Sequence, residues 1–360
     1  MSMTDQPVPR RRIPWLWLTI GIVALVVILG GTTTAVLALT AWDGKPAKGD
    51  TAFTLKVHAP GGGQPPAADL DRTKQTLLSR MRAARLTRPT VNGLGADTLL
   101  VTVAPKDADQ ARALLAPGNL TFRKVLQPTP NQMAADADKG CVADSGTSAD
   151  KAAALASAKR KLGSAYDTAT QIQDPTQADP KTLTAFSTLT CAEVAAIPAQ
   201  LQFMVPNVTC TMLNGRAPGA LDDPTDAVVA CDHVGTTKYA LDVAKVHGPD
   251  IASAQAKNDA GAGGWVVNLH FTGTGQARWT ALTQEAMQNA SQSGGPGGAQ
   301  VAIVLDNEVL SAPQIQSVIT GDAIISGGGI DQSEATVIAL ELRYGALPVW
   351  FTILSVTQVR

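Results

Sequence analysis

The chain has 360 residues, 45% of them apolar and 16% charged, and its 29 Lys and Arg against 30 Asp and Glu leave a formal net charge of −1. That length has room for a membrane anchor and two or three small modules, and the apolar share is that of a folded protein. With no basic excess, the balance gives no support to a nucleic-acid partner.

From Ile13 to Trp42 the sequence carries no charge. As a helix, Trp15 to Leu39 would extend roughly 37 Å at about 1.5 Å per residue, enough to cross a bilayer with some tilt. Arg10, Arg11 and Arg12 precede this run and no equivalent cluster follows it, while Trp15, Trp17 and Trp42 stand where interfacial aromatics belong. These features predict a cytoplasmic tail over 1–12, a transmembrane helix over 13–42 and an exported remainder. A cleavable signal peptide is the competing reading, through Val36-Leu37-Ala38, but the apolar span is longer than the usual apolar region of such a peptide.

A linker is expected over 43–50 and a base subdomain over 51–127. Thr51 to His58 alternates as a strand, and Pro60 to Pro66 is a Gly/Pro loop. Leu70, Thr73, Leu77, Leu78, Met81 and Leu86 form a helical stripe. Thr90 to Leu94 and Thr98 to Val103 flank Gly95-Ala96-Asp97, Asp107 to Leu115 reads as a short helix, and Leu120 to Leu126 as a strand. The order is β-α-β-β-α-β, a ferredoxin-like arrangement.

Over 128–237 the composition shifts to Ala, Asp, Pro and Thr, which predicts a partly mobile insertion with an Ala-rich helix from about Ser148 to Ile172. All four cysteines fall here: Cys141, Cys191, Cys210 and Cys231. On the exported side they are expected to form disulfides; three connectivities are open, and pairing nearest neighbours in sequence, Cys141 with Cys191 and Cys210 with Cys231, is preferred. Closing about 20 residues between Cys210 and Cys231 would stabilise by roughly 3 kcal/mol in the loop-entropy picture.

The head subdomain, 238–347, is expected to be α+β. Val266, Leu269 and Phe271 belong to a strand, and Trp279, Leu282 and Ala286 share one face of the following helix; core packing is the plain reading of that face, a groove for extended polypeptide the sharper one. Val301 to Leu305 and Glu308 to Ala312 flank the turn pair Asp306-Asn307, and Pro313 ends the hairpin. A last helix has Asp331 and Glu334 as a capping-box variant, core spacing at Ala335, Ile338, Ala339 and Leu342, a C-cap at Gly345 and a stop at Pro348. Residues 348–360 form an apolar, strand-like tail that is a candidate to return to the base sheet.

No constellation for catalysis stands out. Cys231-x-His233 lacks a CxxC partner, and Asp136-x-Asp138-x-Gly140 lacks the rest of a calcium loop. The clusters Gly61 to Gly63, Gly294 to Gly298 and Gly327 to Gly329 lack a Gly-Lys-Ser/Thr ending, and His58, His233, His247 and His270 show no metal spacing. The expectation is a protein that is not an enzyme and has no cofactor.

Several spaced stretches, in order, resemble the head part of the first large periplasmic domain of SecD, the Sec translocase accessory subunit: GGWVVNLHFTGTGQARWTALT, IVLDNEVLSAP, the ITG at Ile319 to Gly321, the ISGG at Ile325 to Gly328, and LRYGALP. The resemblance covers Lys238 to Pro348 well, Thr51 to Gln127 loosely and Pro128 to Thr237 hardly at all, and its signature residues are Trp279, Leu282, Asp306, Pro313, Gly321, Gly345 and Pro348. Asn307-Glu308 replaces the family's usual Gly-Lys, and Thr274 stands where an acidic residue is common. The resemblance implies a module at the cell membrane that assists protein export by binding unfolded exported polypeptide or Sec translocase components, with no nucleotide. Because the chain offers one candidate membrane helix and stops where the family's second would begin, the proton-conducting bundle is expected to be missing. The alternative is a cell-envelope structural or interaction protein that reuses the domain without an export role.

Overall fold

The computed structural model describes Val27–Leu29, Thr32–Thr34 and, from residue 46 onward, all but 61–62, 133–139, 143–150, 222, 294–298 and 328. Within the predicted membrane span, strands β1 (Val27–Leu29) and β2 (Thr32–Thr34) pair antiparallel, Leu29 opposite Thr32. At these six residues the backbone is strand rather than the expected helix. β-Branched residues on both sides of the sequence Gly30-Gly31 are a hairpin signal that local propensity favours over helix. Among the described residues no helix is long and apolar enough to cross a membrane. Arg10, Arg11, Arg12, the rest of 13–42, Asp136, Asp138 and Gly294 to Gly298 lie outside the described residues.

From residue 46 the chain forms one compact unit. Its base begins with β3 (Thr51–His58), whose buried Phe53, Leu55 and Val57 alternate along the strand, followed by α1 (Ala67–Ala83), β4 (Thr90–Gly93), β5 (Thr98–Val103) and α2 (Ala108–Ala113). Next comes β6 (Leu120–Pro130). This strand does not close the base sheet, as the expected boundary at 127 required. It is buried on both faces, Leu120 and Phe122 in the head core and Val125 in a separate barrel core. A base strand would have one apolar face only.

The described part of the insertion is largely helical: α3 (Lys151–Leu162), α4 (Ser164–Thr170), α5 (Cys191–Ala196), α6 (Ala199–Met204) and α7 (Cys210–Asn214). The single Ala-rich helix expected there is broken at Gly163, which sits at φ +52°. The segment builds its own core from Leu162, Phe186, Val194, Leu201, Phe203 and Met212, so it buries more apolar surface than its composition suggests. Cys141 pairs with Cys191 and Cys210 with Cys231. The second bridge fastens the first residue of α7 to β7 (Val228–Asp232).

The remaining elements are β8 (Thr237–His247), β9 (Ile251–Asp259), β10 (Gly264–Phe271), α8 (Gly273–Ser293), β11 (Val301–Leu305), β12 (Glu308–Ser311), β13 (Ala323–Ile325), α9 (Gln332–Tyr344) and β14 (Trp350–Gln358). Strands β11-β12-β7-β8-β6 close a small barrel, antiparallel except where β12 meets β7, and Val125, Ala230, Leu241, Val304 and Val309 share its core. Beside it lies the sheet β13-β10-β9. The base sheet runs β14-β3-β5-β4, so the place beside β3 belongs to the C-terminal strand. Half of the expected linker is also tied in, since Gly49 N donates to Val359 O and Val359 N to Asp50 O, both at 2.8 Å.

Helix α9 serves two cores. Val337 and Leu340 enter the base core; Ala335, Ile338, Ala339 and Leu342 enter the head core. It starts as its sequence dictates, with the Asp331 side chain accepting from Glu334 N at 2.9 Å, and ends at Gly345 with φ +80°. In α8, Gly275 is required by packing, because a Cβ there would collide with the Asp250 backbone carbonyl. Arg278 locks the same contact by donating to both Asp250 carboxylate oxygens at 2.9 and 3.0 Å.

Trp279 is 2% exposed and stands 5.4 Å from the Phe122 ring and 5.8 Å from the Phe271 ring, with Leu282 and Ala286 buried on the same helix face. Core packing is therefore what this face does. Trp279→Ala should lower unfolding free energy by about 3 to 5 kcal/mol, measured by urea denaturation; an unchanged midpoint would refute the assignment.

Candidate functional site: the junction of base, insertion and head

The chain crosses from base to barrel between α2 and β6, and returns between α9 and β14. Arg80 of α1, at three residues from Leu77 on the apolar stripe, is fully buried between the two crossings. Its Nη1 donates to Leu114 O (3.3 Å) and Ala116 O (2.7 Å), and its Nη2 to Pro117 O (2.9 Å) and Gly345 O (2.6 Å). Leu347 N donates to Pro117 O at 2.8 Å, which joins the crossings directly. Gly118, at φ +78°, has to be glycine: a Cβ would stand 2.9 Å from Arg80 Nη2 and 3.0 Å from Glu341 Cβ. Asp306, at φ +54° in the β11–β12 turn, accepts from Asn119 N (2.9 Å) and Gly118 N (3.2 Å).

Glu341 of α9 lies beside this cluster at 2% exposure. Burial pushes its carboxyl well above the usual range, opposed by Arg80 and reinforced by Asp306. Burial also pulls the Arg80 guanidinium down, against the pull of Glu341 and Asp306.

Over the junction opens a cleft of about 450 Å³ with three walls. The base contributes Arg112, Pro117 and Phe351; the insertion contributes Asn214, Arg216 and Pro218; the barrel and α9 contribute Asn307, Glu308, Glu334, Ile338 and Glu341. Arg216 is buried without a carboxylate, its guanidinium pulled down to about 9 by desolvation, and it donates to Leu213 O (2.7 Å), Gln202 Oε1 (2.8 Å) and Val229 O (2.8 Å). Asn307 Nδ2 donates to Arg216 O (2.8 Å) and Ala217 O (3.1 Å), fastening the hairpin turn to the insertion. At the mouth, His233 Nδ1 lies 2.8 Å from Glu308 and Nε2 3.5 Å from Glu334. The hydrogen bond with Glu308 raises the His233 pKa above its usual value.

The signature residues divide between these environments. Asp306 and Gly345 meet at Arg80, and Pro348 is half-buried just beyond; Trp279 and Leu282 are core; Pro313 and Gly321 are exposed and away from the junction, the Pro313 carbonyl accepting from Val301 N at 3.3 Å. The disulfides brace the insertion wall without lining the cleft. Sequence reasoning did not single out Arg80, Arg216, Asn214 or Glu341. For Arg80 and Glu341 there was a signal: each is a charged residue at three- or four-residue spacing from core positions of an apolar helix. Among the described residues no group of three His, Cys, Asp or Glu could hold a metal ion.

Residues 227–349, which include most of the barrel, the three-stranded sheet, α8 and α9, match the family model of the SecDF P1 head subdomain. This part of the chain is similar to the SecD head. The SecD translocase subunit of Streptomyces coelicolor is 38% identical over 166 residues, 45% of this chain and 28% of that protein. SecDF of Thermus thermophilus is 37% identical over 102 residues, 28% of this chain and 12% of that protein. The chain thus matches under a third of the length of either relative. A solved structure of the membrane component SecDF aligns at a TM-score of 0.45 and 20% identity, covering 86% of this chain and 100% of that one.

Glu341 generates a pH signature. Its folded pKa is raised, so the folded state holds a proton that the unfolded state releases above its ordinary value of 4.5, and stability falls as pH rises from there toward the folded pKa. Glu341→Gln should raise the melting temperature at pH 7 and flatten its decline as pH rises above 4.5, relative to the parent chain. A variant that melts lower than the parent at pH 7 would show that the carboxylate is ionised and paired in the fold.

Proposed function

We propose that the chain is a non-catalytic, membrane-anchored module on the extracytoplasmic side that assists protein export by holding extended polypeptide, or by contacting the translocase that delivers it. The observation that carries this reading is the SecD-like head over 227–349, shared with proteins that are translocase subunits. The base sheet, with α1 and α9 in the same core, is on this reading a ferredoxin-like support whose second helix and fourth strand arrive only after the head. Two disulfides suit an oxidising compartment. Binding by strand addition suits the sheets: β9 and β14 are edge strands, and β14 exposes Leu354 and Val356 and has no charged residue from Trp350 to Gln358. Affinity should be modest, since an extended segment loses entropy on ordering and has to be released.

The second reading, an envelope interaction protein with no export role, is favoured by the helical insertion, most of which lies outside the matched segment and has its own core and two bridges. Titrating the full chain in nanodiscs with a reduced, unfolded secretory protein and with its folded form separates the two. Export assistance predicts binding of the unfolded form alone at about micromolar to high-micromolar Kd. Equal binding of both forms, or none, leaves the interaction reading.

A further inference from the structure

Three residues that line the junction cleft carry a buried side-chain oxygen with no hydrogen-bond partner: Asn307 Oδ1, Asn214 Oδ1 and Glu341 Oε1. Asn307 and Glu341 are 5% and 2% exposed. The amide orientation of Asn307 is fixed, because its Nδ2 is committed to Arg216 O and Ala217 O, so the group left without a partner is the carbonyl oxygen. Asn214 is oriented in the same sense by Asp232 O, 3.4 Å from its Nδ2. Buried polar oxygens are nearly always paired, and three contributed by two walls of one cleft define a place for a group rich in N–H donors.

The rest of the lining narrows that group. Leu305, Leu310, Ile338 and Phe351 offer an apolar path to the acceptors, and about 450 Å³ accommodates one long side chain with its adjoining backbone. The carboxylates of Asp306, Glu308 and Glu334 line the same space. The two arginines of the walls are otherwise engaged, Arg216 with three acceptors behind the wall and Arg112 over the Phe53 ring at 5.6 Å. At the mouth His233 lies between Glu308 and Glu334. A guest with several N–H donors, a positive charge and an aliphatic stem fits these surroundings.

We propose that the three-walled cleft is a seat for a basic side chain, an arginine or lysine of an extended polypeptide, with Asn307, Asn214 and Glu341 receiving its N–H groups. The seat rests on the polypeptide-holding reading and gives it a side-chain preference. Most of one wall, with Asn214, Arg216 and Pro218, lies in the insertion outside the matched head, so the preference would belong to this chain rather than to the head alone.

The test uses the full chain and three fluorescent pentapeptides, Thr-Val-X-Val-Thr with X as Arg, Leu or Glu, followed by fluorescence anisotropy, together with acetyl-arginine amide followed by NMR of the Asn214 and Asn307 side-chain amides. The Arg peptide should bind about tenfold more tightly than the Leu peptide, a difference of about 1.4 kcal/mol, with the Glu peptide weakest. Asn307→Leu should abolish the Arg preference; because Asn307 also fastens the turn, Glu334→Lys at the half-exposed mouth is the second variant and should do the same while circular dichroism stays unchanged. Equal binding of all three peptides, unaffected by either variant, overturns the seat and leaves polypeptide holding in place. If no peptide binds but acetyl-arginine amide shifts both Asn resonances, the basic seat stands and the polypeptide reading fails. If neither probe has an effect, both are refuted.

Discussion

The architecture depends on one buried cation. Arg80 places a guanidinium between the only two places where the described chain passes between base and head, and fixes both through four main-chain carbonyls. Hydrogen bonds from a charged donor are worth about 1.5 to 3 kcal/mol each, which offsets a desolvation cost of several kcal/mol for a buried ion. Pro117 O also receives Leu347 N, but the carbonyls of Leu114, Ala116 and Gly345 lie at chain crossings beyond the helical and sheet ladders, where a buried carbonyl without a donor is costly. Gly118 and Asp306 complete the arrangement, the first by leaving room and the second by holding the next amides of the same crossing.

The same device recurs at the other boundaries. Arg123 of β6 donates to the carbonyls of Leu221, Asp223, Asp226 and Asp242 and so ties the end of the insertion to the barrel. Arg216 links the insertion to β7, and Lys238 donates to the carbonyls of Gln202, Phe203 and Val205 from the facing strand. Each of these cations reaches from its own segment to main-chain carbonyls of another. Long basic side chains suit this position because their stems pack in apolar surroundings while their heads collect several carbonyls at once. The disulfide from Cys210 to Cys231 secures the insertion covalently at the boundary with β7.

Much of this was legible in the sequence, and the limits are physical. The β11–β12 hairpin, the cap at Asp331, the C-cap at Gly345 and the buried face of α8 were readable because each is decided within a few residues by turn chemistry or helical period. Leu120 to Leu126 went to the wrong sheet because strand pattern carries no address; only the competition with β14 for the edge of β3 decides it. The Ala, Asp and Pro content of the insertion showed no core, yet scattered Phe186, Val194, Leu201, Phe203 and Met212 converge through short helices that no single window displays. The cleft was invisible for the same reason, since its walls come from separate segments scattered between Arg112 and Phe351. Asn307 and Glu308, read in the sequence as hairpin residues and as a departure from the usual turn of the resembling family, are among the residues that line it.

If Arg80 couples the two crossings, then removing its charge while keeping its volume should loosen both together. Hydrogen exchange on Arg80→Met reads this directly through the amides of Gly118, Asn119 and Leu347, which bond across the junction. The account predicts that all three lose protection by about tenfold or more, while Ile303 and Val304 in the barrel keep theirs. Protection unchanged at the crossings, or lost equally in the barrel, would contradict it.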